Sequence, residues 1–312
     1  DLKTRKTKNR FYIKLSVWSA AAVILLIISL KIFNNFYTDK EIFTGTLLND
    51  VDIQLVMSDS IMTFKQDIQV EFDNQGYASI IQNNIEGKKT LNLAKSKSNK
   101  LIVPYGKRST ITLSDGSKVW LNSGSVLEFP ARFDNKRREI TLLSGEIYVD
   151  VVEDKDSPFF VNTPDINVKV LGTQFNVTNY TDLPPSVILV EGSISVQFFN
   201  TGDNILIPGE KVEYTSSGMI EKHNVNVEEF VSWKDGYLIF DNISLADVLK
   251  QVERYYNLSV DYQQSEDINQ ITCNGKLVLS ENIDVVMNAI AILSESTYER
   301  RNNIFYFINN SN

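Results

Sequence analysis

The residues with the clearest potential for chemistry are five carboxylates in one short stretch, GEIYVDVVEDKD: Glu146, Asp150, Glu153, Asp154 and Asp156. Two facing carboxylates can hydrolyse a glycosidic bond, one as an acid and the other as a base or a nucleophile. The alternative is a half-buried strand followed by a polar loop, and the alternation of apolar residues favours this second interpretation. We therefore predict no catalytic residue in this stretch.

Histidine and cysteine are each represented once, by His223 and Cys273. A zinc site built from several histidines, a cysteine cluster and an intramolecular disulfide are all excluded by these counts. His223 follows a glycine turn in SSGMIEKHNVN, and because no GxSxG motif accompanies it, we interpret it as a surface-loop histidine rather than part of a catalytic triad. Cys273 is expected to be a small residue on a strand.

No other short motif indicates a cofactor or a metal. Asp115 and Gly116 in LSDGSKVWLN resemble half of a calcium loop, but no EF-hand spacing surrounds them, so we predict a hairpin turn. The sequence contains neither GxGxxG nor GxxxxGK[ST], so nucleotide binding has no support. We predict no catalytic, cofactor-binding or metal-binding residues, no cofactor and no enzymatic activity.

The elements that carry these residues begin with an apolar run near the start of the chain. Residues 15–30 contain no charge, and with residues 31–33 the run has 19 residues, which span about 28 Å as a helix. The preceding 14 residues carry six basic side chains and one acidic one, and such a bias places the N-terminus in the cytoplasm. We predict a basic cytoplasmic tail at 1–14, a transmembrane helix at 15–33 and a bulk outside the cytoplasm.

Two alternatives to a membrane anchor are disfavoured. A cleaved signal peptide has a shorter apolar run and a small-residue cleavage site, whereas KIFNNFYTDK is bulky and polar. A buried helix of a soluble core is disfavoured because no face of the run is polar. The net charge of −8 leaves −13 for the residues after the basic tail, and an acidic exterior disfavours nucleic-acid binding.

The middle of the chain repeats a local pattern in which a turn with glycine is followed by alternating apolar residues. This period of two predicts half-buried strands. It predicts an all-β domain at 101–232, either a sandwich or an irregular β-roll, preceded by a juxtamembrane β and loop region at 34–100 with an accessible loop at 82–100. The stretches with this pattern are 72–81, 113–122, 142–151, 189–198 and 207–214.

The pattern changes after about residue 237. SLADVLKQVERYYN and NIDVVMNAIAILSES have the spacing of amphipathic helices, the first with Ser244 as its N-cap. Strands flank both helices, and TYERRNNIFYFIN predicts two strands joined near Asn302. The order β-α-β-β-α-β predicts a small α+β domain at 237–312 with both helices on one face of a sheet. Tyr255, Tyr256 and Tyr262 belong either to its core or to a partner surface.

Long segments of the β region resemble one known family. LIVPYGKRSTITLSDGSKVWLNSGSVLEFPARF, REITLLSGEIYVDVVEDKDSPFFVNT, VKVLGTQFNVTNY and LVEGSISV, between residues 101 and 196, closely resemble the FecR family of bacterial anti-sigma regulators, in the form common among Bacteroidetes. Residues 237–308 resemble the small C-terminal domain of the same proteins, which is similar to the short signalling domain of secretins and TonB-dependent receptors.

The resemblance implies an inner-membrane, single-pass regulator without catalytic residues. Its periplasmic part would contact the signalling domain of an outer-membrane TonB-dependent receptor, and its cytoplasmic part would hold an extracytoplasmic-function sigma factor that controls transport genes. The family's cytoplasmic domain is longer than residues 1–14, so we expect an upstream domain to precede this sequence; the alternative is that this member has lost sigma-factor binding. The alternative is a membrane-anchored periplasmic β domain that binds or hydrolyses glycans.

Overall fold

The computed structural model describes residues 52–57, 60–82, 89–92, 98–134, 136–199, 202–215, 217–261, 268, 270–280, 282–294, 296–301 and 304–309. The tail predicted at 1–14, the transmembrane helix predicted at 15–33 and Tyr262 lie outside the described residues. No helix in the described ranges is long and apolar enough to cross a membrane. The described ranges all belong to one compact unit.

The β-rich part is an eighteen-stranded structure in the described residues, so the predicted mainly β class is confirmed. Its strands are β1 (Ile53–Met57), β2 (Ser60–Phe64), β3 (Ile68–Phe72), β4 (Tyr77–Gln82), β5 (Lys89–Asn92), β6 (Asn99–Ile102), β7 (Ser109–Thr112), β8 (Lys118–Leu121), β9 (Val126–Phe129), β10 (Arg138–Asp150), β11 (Phe159–Asn162), β12 (Ile166–Val170), β13 (Gln174–Asn179), β14 (Ser186–Glu191), β15 (Ile194–Phe198), β16 (Asn204–Leu206), β17 (Glu210–Tyr214) and β18 (Ile220–Asn224).

Hydrogen bonding arranges these strands in two sheets that share β10. Sheet 1 has the order β2-β1-β6-β9-β10-β11-β12-β15-β16. Sheet 2 has the order β5-β4-β3-β7-β8-β10-β13-β14-β17-β18. All neighbours are antiparallel except the pairs β10–β11 and β3–β7. The two sheets are therefore one curled sheet, continuous through β10.

Strand β10 changes sheets in its middle. Residues Thr141–Ser144 pair with β9 in sheet 1, and residues Gly145–Asp150 pair with β13 in sheet 2. The register of the first pairing shifts between Leu142 and Ser144, which marks a bulge, and bulges bend a strand sharply. Gly145, at the change, has φ of +98°, a conformation that glycine adopts without steric penalty.

One hydrophobic core lies between the two sheets. Inward-facing aliphatic and phenylalanine side chains from both sheets form a single buried cluster, as the alternating sequence pattern requires. Residues Ile53 and Leu55 of β1 are fully buried in it. Strands β1 to β5, within the region predicted as juxtamembrane, are therefore integral to both sheets.

The C-terminal part adds three helices and five strands to the described structure: α1 (Val227–Val231), a 3-10 turn (Ser232–Asp235), β19 (Tyr237–Ser244), α2 (Leu245–Tyr256), β20 (Ser259–Asp261), β21 (Thr272–Val278), α3 (Ile283–Leu293), β22 (Ser296–Arg301) and β23 (Ile304–Asn309). The Ser244 side chain caps α2 by accepting from the Asp247 backbone N–H, as predicted. β22 and β23 form the predicted terminal pair.

The single sheet predicted for this part is wrong. β19 pairs with β21 in one sheet, and β20, β23 and β22 form another. The chain reaches this arrangement because β19 bulges between Phe240 and Ile243 and because β20 pairs with β23 in parallel rather than with β21. Both small sheets contribute to one cluster with α2 and α3.

The C-terminal part packs on the outer face of sheet 2. Tyr148 of β10 is buried in the C-terminal cluster, and Trp120 of β8 and Val190 of β14 pack against the same cluster. The Trp120 and Tyr148 rings meet edge to face with centroids 5.4 Å apart. The outer face of sheet 2 therefore carries buried aromatic and aliphatic side chains at these positions, where the C-terminal part covers it.

Candidate functional site

A cleft of about 350 Å³ lies between sheet 2 and the elements α1, β19 and α2. Its volume falls at the lower end of the range of small-ligand sites in proteins. Its walls combine aromatic and aliphatic residues with both signs of charge. The lining residues are Asn122, Glu146, Thr178, Tyr180, Leu183, Pro184, Ser186, Lys211, Glu213, Glu229, Phe230, Trp233, Leu238, Ile243, Asp247, Lys250, Gln251, Arg254 and Tyr255.

The carboxylate of Glu146 lines this cleft from the middle of sheet 2. Its Oε2 accepts a hydrogen bond from Asn122 Nδ2 at 2.7 Å, and its Oε1 accepts from Asn176 Nδ2 at 2.8 Å and from Thr178 Oγ1 at 3.2 Å. Burial raises the pKa of the Glu146 carboxyl above its ordinary value, although these three donors and the charge of Arg254 oppose the shift. Glu146 is therefore held rigidly, and its charge is only partly compensated.

Glu146 and Asp150, the pair that the sequence suggested for glycoside hydrolysis, are not brought together. Both lie on β10, four residues apart, so an extended backbone separates them by about 13 Å. Carboxylate pairs in glycosidases are about 5–10 Å apart. Asp150 pairs with Gln174 and Lys118 in the sheet register and does not line the cleft.

The remaining carboxylates of the stretch lie in the polar loop that the sequence predicted. Asp154 Oδ1 accepts from the backbone N–H groups of Asp156 and Ser157 at 3.0 and 3.2 Å. Glu153 pairs with Lys155 at 3.3 Å, with both side chains mostly exposed. These contacts shape a loop and assemble no site. No group of three histidine, cysteine or acidic side chains with metal-binding geometry occurs in the ranges that the structure describes.

Each cationic side chain of the cleft already has an acidic partner. Lys211 Nζ lies 2.7 Å from Glu213 Oε2, and Lys250 Nζ lies 3.0 Å from Asp247 Oδ1. Arg254 Nε donates to Asp182 Oδ2 at 2.9 Å. These pairs neutralise the positive charge of the lining locally.

The aromatic residues of the cleft lie close to cations. Lys211 Nζ is 5.4 Å from the centroid of the Phe230 ring, and the Arg254 guanidinium is 5.9 Å from that of Tyr180. Ring faces attract cations through their quadrupole. Trp233 is 3% exposed, and its indole N–H finds no acceptor among the described residues.

The contact between the two parts of the chain centres on the end of α2. The carbonyl oxygen of Tyr255 accepts from Gly106 N at 2.8 Å and from the hydroxyl of Ser123. The guanidinium of Arg108 donates to the Trp233 carbonyl at 2.8 Å. Tyr255 is buried in the C-terminal cluster, and the adjacent Tyr256 packs against it. Sequence reasoning left the role of this tyrosine pair open, and the structure uses it at an internal interface.

The other singled-out residues have structural positions. Asp115 and Gly116 form the β7–β8 hairpin turn, in which Asp115 Oδ1 accepts from Ser117 N at 3.0 Å. Cys273 is buried on β21, and burial raises the pKa of its thiol. His223 is exposed, but it lies on the edge strand β18, not in a loop as predicted, because residues 220–224 pair with β17.

A buried arginine was missed by the sequence reasoning. Arg138, 3% exposed, donates to Asp115 Oδ2 at 2.9 Å and to three backbone carbonyls. It thereby joins the β7–β8 turn to the loops after β10 and β12. The sequence did contain a signal for it. Arg138 stands at an inward-facing position at the start of the alternating pattern of β10, and a charge at such a position requires a buried partner.

The fold is a β-rich domain with a small α+β part packed on it, and a cleft lies between them. Residues 99–195 match the family model described as FecR protein, and residues 237–307 match the model described as FecR, C-terminal. The two matches together cover more than half of the chain. The chain belongs to the FecR family, and its resemblance to anti-sigma regulators is confirmed.

Solved structures agree with this assignment. The chain is similar to a candidate anti-sigma factor from Parabacteroides distasonis, solved by crystallography at 1.65 Å, with 26% identity and a TM-score of 0.56 over 68% of this chain and 99% of that one. A second crystal structure from the same organism, at 2.50 Å, matches with the same identity and TM-score over 69% of this chain and 100% of that one. No curated protein matches the chain significantly.

Proposed function

We propose that this protein is an inner-membrane regulator of the anti-sigma type. It relays a signal from an outer-membrane TonB-dependent receptor to an extracytoplasmic-function sigma factor and so controls transport genes. Residues 15–33 anchor it, with the N-terminus in the cytoplasm and the described unit in the periplasm. The observation that carries the proposal is the pair of FecR matches, which lie in one compact unit of the structure.

The C-terminal part offers an open strand edge for a receptor's signalling domain. Within the described ranges β21 pairs with β19 and with no other strand. An unpaired edge can accept an added strand from a partner. Val278, at the end of β21, is 67% exposed, so its side chain is available to such a partner and contributes little to the core.

A charge on this edge tests the docking site. In a pull-down with the signalling domains of candidate receptors, the full chain in detergent micelles should retain one of them, and Val278→Lys should lose it because charges on an edge oppose strand addition. Ile61→Lys is the matched control, since Ile61 is 61% exposed on β2, an edge strand of sheet 1. Equal retention by both variants would place the docking site elsewhere.

A transcript comparison tests the regulatory role itself. Transcripts from cells with and without the gene should differ at a transport locus, and the Val278→Lys variant should make that locus unresponsive to its inducing ligand. Unchanged transcripts at every transport locus would contradict the proposed function. Deletion of the whole C-terminal domain is a weaker test, because it exposes the apolar outer face of sheet 2 around Trp120 and Tyr148.

A further inference from the structure

The charges that line the cleft do not balance. Lys211, Lys250 and Arg254 are each paired with a carboxylate within 3.0 Å. Glu146 and Glu229 also line the cleft, and neither forms an ion pair with another described residue. The lining therefore keeps two carboxylates without a directly bound cation, and a low-dielectric cleft amplifies the potential that they create.

Of these two carboxylates, Glu146 has the more clearly defined hydrogen-bond environment. It accepts three hydrogen bonds, whereas a carboxylate has about four acceptor positions, so Oε2 keeps room for one more donor. All three of its partners are neutral amide or hydroxyl groups. No protein cation bonds directly to this carboxylate, and only the more distant charge of Arg254 opposes the cost of its burial, so an added cation within hydrogen-bond distance would stabilise it further.

The walls of the cleft suit the stem and head of a basic side chain. Phe230, Trp233 and Tyr255 present aromatic surface beside the acidic groups. A lysine or arginine buries its aliphatic stem against such surface and keeps its charge near ring faces and carboxylates. Glu229 lies on α1 and is only partly exposed, so it would meet the charge before Glu146 does.

We propose that this cleft binds a lysine or arginine side chain of a docking polypeptide, with Glu229 and Glu146 as its counter-charges and Phe230 and Trp233 as its walls. The inference rests on the proposed function only in naming a partner polypeptide as the source of the side chain. The occupied cleft would join β10 of sheet 2 to α1, so the partner would bind both parts of the chain at once.

The Trp233 indole N–H provides a local reporter of binding. The probe is N-acetyl-arginine amide, added to the full chain in detergent micelles with ¹⁵N-labelled tryptophan, and the neutral isostere N-acetyl-citrulline amide is the control ligand. We expect the arginine probe to shift the Trp233 indole signal saturably and the citrulline probe to leave it unchanged. The indole signal of Trp18, in the predicted membrane segment, should stay in place with both probes.

Two neighbouring glutamates of α1 give a matched pair of variants. Glu229→Gln should lower the affinity for the arginine probe about three- to fivefold, as expected for the loss of one partly exposed ion pair. Glu228→Gln should have no effect, because Glu228 is exposed and does not line the cleft. Glu146→Gln should lower the affinity for the probe more than Glu229→Gln does. If the Glu146 variant fails to fold, the comparison of Glu229→Gln with Glu228→Gln still tests the inference.

Any one of three results would overturn the inference. The first is an absence of a saturable shift with the arginine probe, the second is an equal response to the citrulline probe, and the third is an equal affinity of Glu229→Gln and Glu228→Gln for the arginine probe. Neither result bears on the pull-down with Val278→Lys or on the transcript comparison. A failure of the cleft assignment is therefore distinguishable from a failure of the proposed function.

Discussion

Replacement of Gly145 by alanine should destabilise the protein more than replacement of any open-turn glycine. A Cβ atom at position 145 would lie 2.3 Å from Ser125 Oγ and 2.5 Å from Ser125 Cα. Ser125 is fully buried, and its hydroxyl donates to the Glu146 carbonyl and accepts from the Glu146 N–H, both at 3.0 Å. Ser125 therefore cannot move aside without breaking both of its hydrogen bonds to the Glu146 backbone.

Two costs add at this position. The backbone φ of +98° is unfavourable for a residue with a Cβ, at about 1–3 kcal/mol. Overpacking against a backbone atom costs about 1–3 kcal/mol more. Together they give an expected loss in the free energy of unfolding of about 2–6 kcal/mol. Gly209→Ala is the control, because Gly209 has φ of +89° but no atom within 4 Å of the place that a Cβ would take, so it should lose only about 1–2 kcal/mol.

Equilibrium unfolding in urea, followed by tryptophan fluorescence of the full chain in detergent micelles, measures both variants. Equal m-values would show that the midpoint shift reports stability alone. The two losses should differ by about 1–3 kcal/mol, the cost of the crowding at Ser125. A difference below about 0.5 kcal/mol would refute the idea that close packing at the change of sheet requires glycine.

Two further predictions concern buried charges. Arg138→Met should lower the free energy of unfolding by about 3–5 kcal/mol, because it leaves the Asp115 carboxylate without its cation; a loss no larger than that of the exposed control Arg132→Met in urea unfolding would contradict this. The raised pKa of Glu146 means that its stabilising contribution is fully present below its ordinary pKa and is lost as the pH rises through the folded-state value. The advantage of the wild type over Glu146→Gln should therefore shrink as the pH rises above the ordinary pKa of a glutamate side chain, and a pH-independent difference in urea titrations would count against it.

Local features of the fold were predictable because they depend on neighbouring residues. The Asp115–Gly116 turn, the N-cap at Ser244 and the strand pair around Asn302 follow from short-range geometry, and the structure has the turn, the cap and the pair. The helix predicted within 244–257 is observed at Leu245–Tyr256. The FecR resemblance likewise depended on long local motifs, which both family matches confirm.

The cleft was not predictable in the same way. Its carboxylate on β10 and its cations on β17 and α2 are far apart in the sequence. The alternation of apolar residues only places Glu146 and Asp150 on the same face of a strand and does not distinguish their roles. What separates their roles is position along the strand, since Glu146 lies opposite Thr178 under α2 and Asp150 lies opposite Gln174. The partners of Arg138, in three different loops, were hidden for the same reason.

The sequence by itself determined the class of the fold, the sites of its turns and helix caps, and the family, because periodicity, glycine positions and motifs act over a few residues. Tertiary structure alone decided that β10 serves two sheets, that the C-terminal part forms two small sheets, and that this part covers sheet 2 and encloses a cleft. These features depend on which strands and surfaces meet across long stretches of chain, where the burial of apolar area and the pairing of buried charges, rather than local preference, select the arrangement.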